Sequence, residues 1–188
     1  RSSRVFAKVK KLSYSEPDSI HLLLQKLSAA VTSYLKMQIE AGADAIMLFD
    51  TWGGLLSESN YVSLSLNYME KILRSLEPLG IPTILFTKGG GMWLDKISRV
   101  GSSGVGLDWM TDIKVAKQLI GHKVALQGNL DPAIMLTAKP IIEKEAKNIL
   151  DSYGIGNGHI FNLGHGITPN VPPENVEYLV DFVHSYSQ

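Results

Sequence analysis

Apolar residues along the chain follow two alternating rhythms, a helical spacing of three to four and short, nearly continuous runs. From Ser15-Glu16-Pro17-Asp18, where a serine cap, a proline and an acid fit a helix start, Ile20, Leu23, Leu24, Leu27, Val31, Tyr34, Leu35 and Ile39 fall on one stripe that Gly42 ends. Ala43 to Phe49 is then short and almost wholly apolar, as a strand buried on both faces must be. It runs out into Asp50-Thr51-Trp52-Gly53-Gly54.

The unit repeats. A helix from about Ser57 to Leu79 leads to a strand at Pro82 to Phe86, and the turn Thr87-Lys88-Gly89-Gly90-Gly91 opens a helix over Met92 to Val100. Val105 to Leu107 is a third strand, followed by Asp108-Trp109 and a helix capped near Thr111. Lys123 to Leu126 is a fourth, with Gln127 to Pro132 opening a helix that runs to about Tyr153. His159 to Leu163 is a fifth, ending in Gly164-His165-Gly166, and a last helix follows Pro172-Pro173. Strands joined only by helices must be parallel, so the class is α/β. Length favours an open doubly wound sheet, because a closed (β/α)8 barrel needs about 250 residues. The polar and Gly-rich clusters favour the barrel, since every strand delivers one to the same end.

Composition narrows the chemistry. The 188 residues carry 18 basic and 18 acidic side chains and are 45% hydrophobic, a balance that supplies no electrostatic footprint for nucleic acid or a membrane surface. With no cysteine, disulfides, thiolate nucleophiles and Cys-ligated metals are excluded. No apolar run is long enough for a membrane span, and no secretory signal opens the chain. The chain starts at Arg1 rather than methionine, which fits processing or a piece of a longer protein.

Among candidate motifs, Gly154-Ile155-Gly156-Asn157-Gly158 precedes a strand and reads as a turn rather than a dinucleotide fingerprint, and Gly101-Ser102-Ser103-Gly104 enters a strand and is no nucleophile elbow. Lys88 and its three glycines could offer a cation and backbone N–H groups to an anion, or could simply turn the chain. Asp131-Pro132 reads as a helix cap. Asp50 and Asp108, at strand ends, could be catalytic bases or partners for loop amides, and spacing does not choose. His165, between two glycines past a strand, is the best single candidate for donating a hydrogen bond or a proton. His21, His122, His159 and His184 occupy ordinary positions, and no histidines lie at ligand spacing beside a carboxylate, so no metal site is indicated.

Read together, FDTWGG (Phe49 to Gly54), FTKGGG (Phe86 to Gly91), GLDW (Gly106 to Trp109), ALQGNLDP (Ala125 to Pro132) and FNLGHG (Phe161 to Gly166) resemble, in order and spacing, the C-terminal half of the uroporphyrinogen decarboxylase family. The likeness runs from Arg1-Ser2-Ser3 through Tyr14-Ser15-Glu16-Pro17 to the helix at Pro172-Pro173-Glu174. It implies a (β/α)8 barrel of which this chain, residues 1–188, is the C-terminal part of a single domain, about five βα units, with the N-terminal part absent. It further implies a cytoplasmic homodimer that converts uroporphyrinogen III to coproporphyrinogen III in haem biosynthesis without metal or organic cofactor. By the same match Thr51 and His165 bind substrate, Phe49 lines the same wall, and Lys88 adds a cation. The family's catalytic aspartate and carboxylate-receiving arginines would precede Arg1, so no catalytic residue is expected here and the chain alone is expected to be inactive. The alternatives are a non-catalytic tetrapyrrole-binding domain and a related superfamily methyltransferase; absence of cysteine removes that enzyme's usual zinc ligands.

Overall fold

The computed structural model describes residues 6–186, so Arg1-Ser2-Ser3 lies outside the described residues. Two helices, α1 (Ala7–Ser15) and α2 (Pro17–Glu40), precede the first strand. Ser15 is therefore not a cap: it closes α1, and α2 begins behind Glu16 without a side-chain cap. Pro17 sets that start, because its fixed φ and missing N–H suit the first helical position.

The core of the fold is a five-stranded parallel sheet, β1 (Ile46–Asp50), β2 (Thr83–Thr87), β3 (Gly104–Gly106), β4 (Ala125–Gln127) and β5 (His159–Ile160), in the spatial order β1-β2-β3-β4-β5. Strand order without a reversal separates a barrel wall from a doubly wound sheet, whose order turns back at a switch point. The length argument for an open sheet thus fails. Most strands sit one to three residues later than the apolar runs suggested, because pairing, rather than hydrophobicity, decides where a strand begins. β5 is also shorter, with Leu163 continuing only as an isolated bridge to Leu130.

Alternation along each strand divides the sheet into two faces. Leu85, Val105 and Leu126, all under 2% exposed, pack into a core with residues of α4 (Asn67–Leu76), α5 (Leu94–Ile97) and α6 (Ile113–Ile120). Each such burial contributes about 1.5–3 kcal/mol. A second cluster joins Leu130 and Met135 to α7 (Lys139–Tyr153) and α8 (Pro173–Tyr186). The opposite face carries one layer in register, Phe49, Phe86, Gly106, Gln127 and Ile160.

Both ends of the sheet are open. β1 and β5 each have a single strand neighbour among the described residues. The α2 stripe is correspondingly only half used: Ile20 and Leu35 are buried, whereas Leu23, Leu27 and Tyr34 are 46%, 51% and 61% exposed. Leu35 packs with Ile46, Ile72 and Leu76, but on the other side of β1 no described strand lies beneath the leucines.

The helix expected over Ser57 to Leu79 is interrupted. α3 (Glu58–Tyr61) passes into a π turn, Val62–Leu66, before α4 continues. The helix expected over Met92 to Val100 shrinks to a 3-10 turn at Gly90–Trp93 and the four-residue α5. Asp112, not Thr111, caps α6, accepting from the amides of Lys114 and Val115 at 2.8 and 3.2 Å. Asp131 does cap, accepting from Ala133 N at 2.8 Å, but opens a 3-10 turn ahead of α7. Glycines 154, 156 and 158 all have positive φ, as the turn reading requires. No helix among the described residues is long and apolar enough to cross a membrane.

Candidate functional site

The loops after the strands lock to one another through two carboxylates. Asp50, the last residue of β1, accepts from the amides of Trp52 (3.3 Å) and Gly53 (2.8 Å) and from Ser65 Oγ (2.5 Å). Ser65 lies in the π turn, so the extra residue in that turn has a use: it helps fix the loop that carries Thr51. Asp108, 1% exposed, accepts from Gly89 N, from Met110 N at 3.2 Å and from Thr111 Oγ1 at 3.0 Å. Asn129 binds the Asp108 carbonyl at 2.7 Å and the Thr111 carbonyl at 2.6 Å, tying the β4 loop to the β3 loop. Between the two alternatives left by spacing, both aspartates are partners of loop amides.

The same contacts take one amide out of the cradle that the Lys88 loop could offer. Gly89 N is committed to Asp108, and the following α5 has only four residues. The Lys88 ammonium lies 5.0 Å from the centroid of the Trp109 ring. His165 meets Trp109 edge-on at 6.3 Å and Phe86 at 6.1 Å. Trp109 therefore holds Lys88 and His165 on one aromatic. It stood in the GLDW motif but was not singled out, and what shows its role is the approach of Gly164: a Cβ there would overlap Trp109 N.

A cleft of about 570 Å³ opens on the inner face of the sheet. Met47, Phe49, Phe86, Gly106 and Gln127 form its floor, Thr51 and His165 stand at its strand-end rim, and it continues past β5 to Leu179, Val180 and Val183 of α8. Of the residues singled out in the sequence, Phe49 (63% exposed), Thr51 and His165 thus meet in one cavity. Lys88 does not line it and reaches it only through Trp109. No aspartate or glutamate lines the cleft among the described residues, and none of the described His, Asp or Glu side chains cluster in threes around a metal position.

Two of the other histidines have structural partners, and a third, His184 on α8, lines the far end of the cleft. His21 Nδ1 lies 2.7 Å from Tyr68 Oη. His159 gives its Nε2 hydrogen to the Gly128 carbonyl (2.9 Å) and stacks on Tyr153; burial holds it below the usual imidazole range, with Lys117 adding to the lowering.

An apolar floor with a hydroxyl and an imidazole at one rim suits an apolar ligand bearing polar groups at its edge. Comparison with known proteins decides the family. The family model described as "Uroporphyrinogen decarboxylase (URO-D)" matches residues 1–186. The chain belongs to the uroporphyrinogen decarboxylase family. Proteins named uroporphyrinogen decarboxylase from Legionella pneumophila (strain Paris) and Hamiltonella defensa subsp. Acyrthosiphon pisum (strain 5AT) are 53% and 52% identical to it, over 99% and 100% of this chain. They share 53% and 54% of their own lengths with it, so this decarboxylase-family chain spans about half of those relatives. In fold it superimposes on a methyltransferase from Methanosarcina mazei with a TM-score of 0.81 and 26% identity, over 95% of this chain and 53% of that one.

Proposed function

We propose that residues 1–188 are the C-terminal part of one (β/α)8 barrel domain. Closed by a segment equivalent to the rest of its relatives, that barrel decarboxylates the four acetate side chains of uroporphyrinogen III to give coproporphyrinogen III in haem biosynthesis. The observation that carries this reading is the convergence of the strand-end motifs on one cleft, with Phe49 and Phe86 on its floor and Thr51 and His165 at its rim.

In this reading the aromatic floor packs against the macrocycle, while the Thr51 hydroxyl and His165 meet substrate carboxylates and Lys88, held over Trp109, adds positive charge behind that rim. A proton adds to a pyrrole ring carbon, the ring draws in the electron pair of the bond to the carboxylate, and carbon dioxide leaves. The exocyclic methylene then takes a proton and the ring carbon returns its own, so each turn consumes one proton. Among the described residues no carboxylate lines this cleft to hold the pyrrole N–H groups, and the nearby Asp50 and Asp108 are engaged with loop amides. That role falls to the complementary segment, so this chain alone is inactive. The open edges of β1 and β5 and the uncovered leucines of α2 are where that segment would pair and pack. The reading includes a cytoplasmic homodimer and no cofactor. The methyltransferase alternative rests on 26% identity, against 52–53% for the decarboxylases.

The test is an anaerobic titration of uroporphyrinogen III into this chain joined to the complementary half of the Legionella pneumophila relative. Saturable one-to-one binding is expected, weakened about 10- to 100-fold by His165→Ala. Absence of saturable binding would refute the reading.

A further inference from the structure

Phe6, at the N-cap of α1, and Lys10 and Tyr14 within it are spaced by four and fall on one face of the helix. Each meets a residue of the loop after β1, in the same order along that loop. The Phe6 ring centroid lies 4.9 Å from that of Trp52, Lys10 Nζ donates to the Leu55 carbonyl at 2.6 Å, and Asn60 Nδ2 donates to Tyr14 Oη at 2.8 Å. Leu55 closes the 3-10 turn Gly53–Leu55, so the lysine meets a carbonyl at the end of that turn, where a cation is favoured.

No residue of α1 is buried, so little apolar packing explains why the helix lies where it does. Phe6 is also the one non-glycine among the described residues with a left-handed backbone, φ 54°. A bulky residue keeps that uncommon conformation where its surroundings hold it, and here its ring is held against Trp52. On its inner side the loop is fixed by Asp50, which accepts from Trp52 N and Gly53 N, and by Gly54 N, which donates to the Lys88 carbonyl at 3.1 Å. Thr51, at the start of this loop, lines the cleft, whereas Phe6, Lys10 and Tyr14 do not.

We propose that α1 is a strap on the β1 loop, with Lys10 and Tyr14 as positioning residues that act on the ligand only through Thr51. This rests on the functional reading above, in which the Thr51 hydroxyl meets a substrate carboxylate. The inner anchors fix where the loop leaves the sheet, and the strap holds its outer half at Leu55 and Asn60. A hydroxyl contributes to binding only while its loop keeps it within hydrogen-bond reach of the ligand, and a loop held on both sides keeps it there.

The experiment is a double-mutant cycle on the completed barrel, read by anaerobic titration of uroporphyrinogen III. Lys10→Met combined with Tyr14→Phe removes both hydrogen bonds while keeping side chains of similar size, and is expected to weaken binding about fivefold. In a Thr51→Ala background the same pair is expected to cause no further loss, because the hydroxyl that the strap positions is gone. Hydrogen exchange at the Leu55 and Leu56 amides is expected to quicken in the strap variant while the strands keep their protection. An equal weakening with and without the Thr51 hydroxyl overturns the proposal, since it would mark a general structural role, as does unchanged exchange in the loop. If the original completed barrel does not bind uroporphyrinogen III, the functional reading falls and this inference with it. Binding that the strap variant leaves unchanged removes this inference alone.

Discussion

Gly164→Ala is expected to destabilise the chain by about 1–3 kcal/mol and to weaken ligand binding in the completed barrel at least about tenfold, while Gly166→Ala leaves stability within about 0.5 kcal/mol. The two glycines flank His165 and look equivalent in the sequence, but their surroundings differ. A Cβ on Gly164 would overlap Trp109 N and lie 3.0 Å from the Asp108 carbonyl carbon, both of them backbone and therefore unable to swing aside. A Cβ on Gly166 meets nothing within 4 Å. Relief of the overlap at Gly164 must move the β5 loop away from Trp109, and His165 with it, so the edge-on contact at 6.3 Å is lost. Urea unfolding gives the stability of each variant and titration the affinity. Equal behaviour of the two variants would show that the loop is not held by this approach.

Asp108→Ala is expected to cost about 3 kcal/mol or more, among the largest effects available to a single polar residue here. Its carboxylate gathers donors from two loops, Gly89 N from the β2 loop and Met110 N and Thr111 Oγ1 from its own. With the side chain at 1% exposure, water cannot replace it, and each orphaned donor costs about 1–3 kcal/mol. Asp108→Asn keeps one acceptor oxygen and should lose less. Native-state hydrogen exchange gives a local check, since the Gly89 and Met110 amides should lose protection ahead of the strands. A urea midpoint for Asp108→Ala within error of the original chain would contradict this account.

These two positions also show what could be read from the chain. The alternation of apolar runs with helical stripes placed all five strands within a few residues, because burial on both faces forces near-continuous Ile, Leu, Val and Phe. Barrel against open sheet was harder, since length argued for the wrong one; the unreversed strand order decides it. His165 could be found because it follows a strand, and strand ends share one mouth; Thr51 and Phe49 came only from the family resemblance, and all three line one cavity. The roles of Asp50 and Asp108 were not legible, because an acid at a strand end has the same spacing whether it faces a ligand or a loop amide. The turns Asp50-Thr51-Trp52-Gly53 and Asp108-Trp109-Met110-Thr111 held the signal, an acid followed two or three residues later by the donors it binds. Trp109 was missed for a different reason. Its importance lies in contacts with Lys88 and His165, residues far away in sequence. The α2 leucines mark the opposite error: helical spacing reports which face is apolar, but not whether anything lies beneath it.

On the proposed reading this chain supplies one part of a uroporphyrinogen cleft and a complementary segment supplies the rest. Release of labelled carbon dioxide from acetate-carboxyl-labelled uroporphyrinogen III tests it most directly, measured with the chain alone, with the complementary half alone, and with the two joined or mixed. Background release is expected from either part and sustained release from the combination, falling when His165 is replaced by alanine. Release by the chain alone at the rate of the combination, or none from a combination shown to be folded, would contradict the proposed reading.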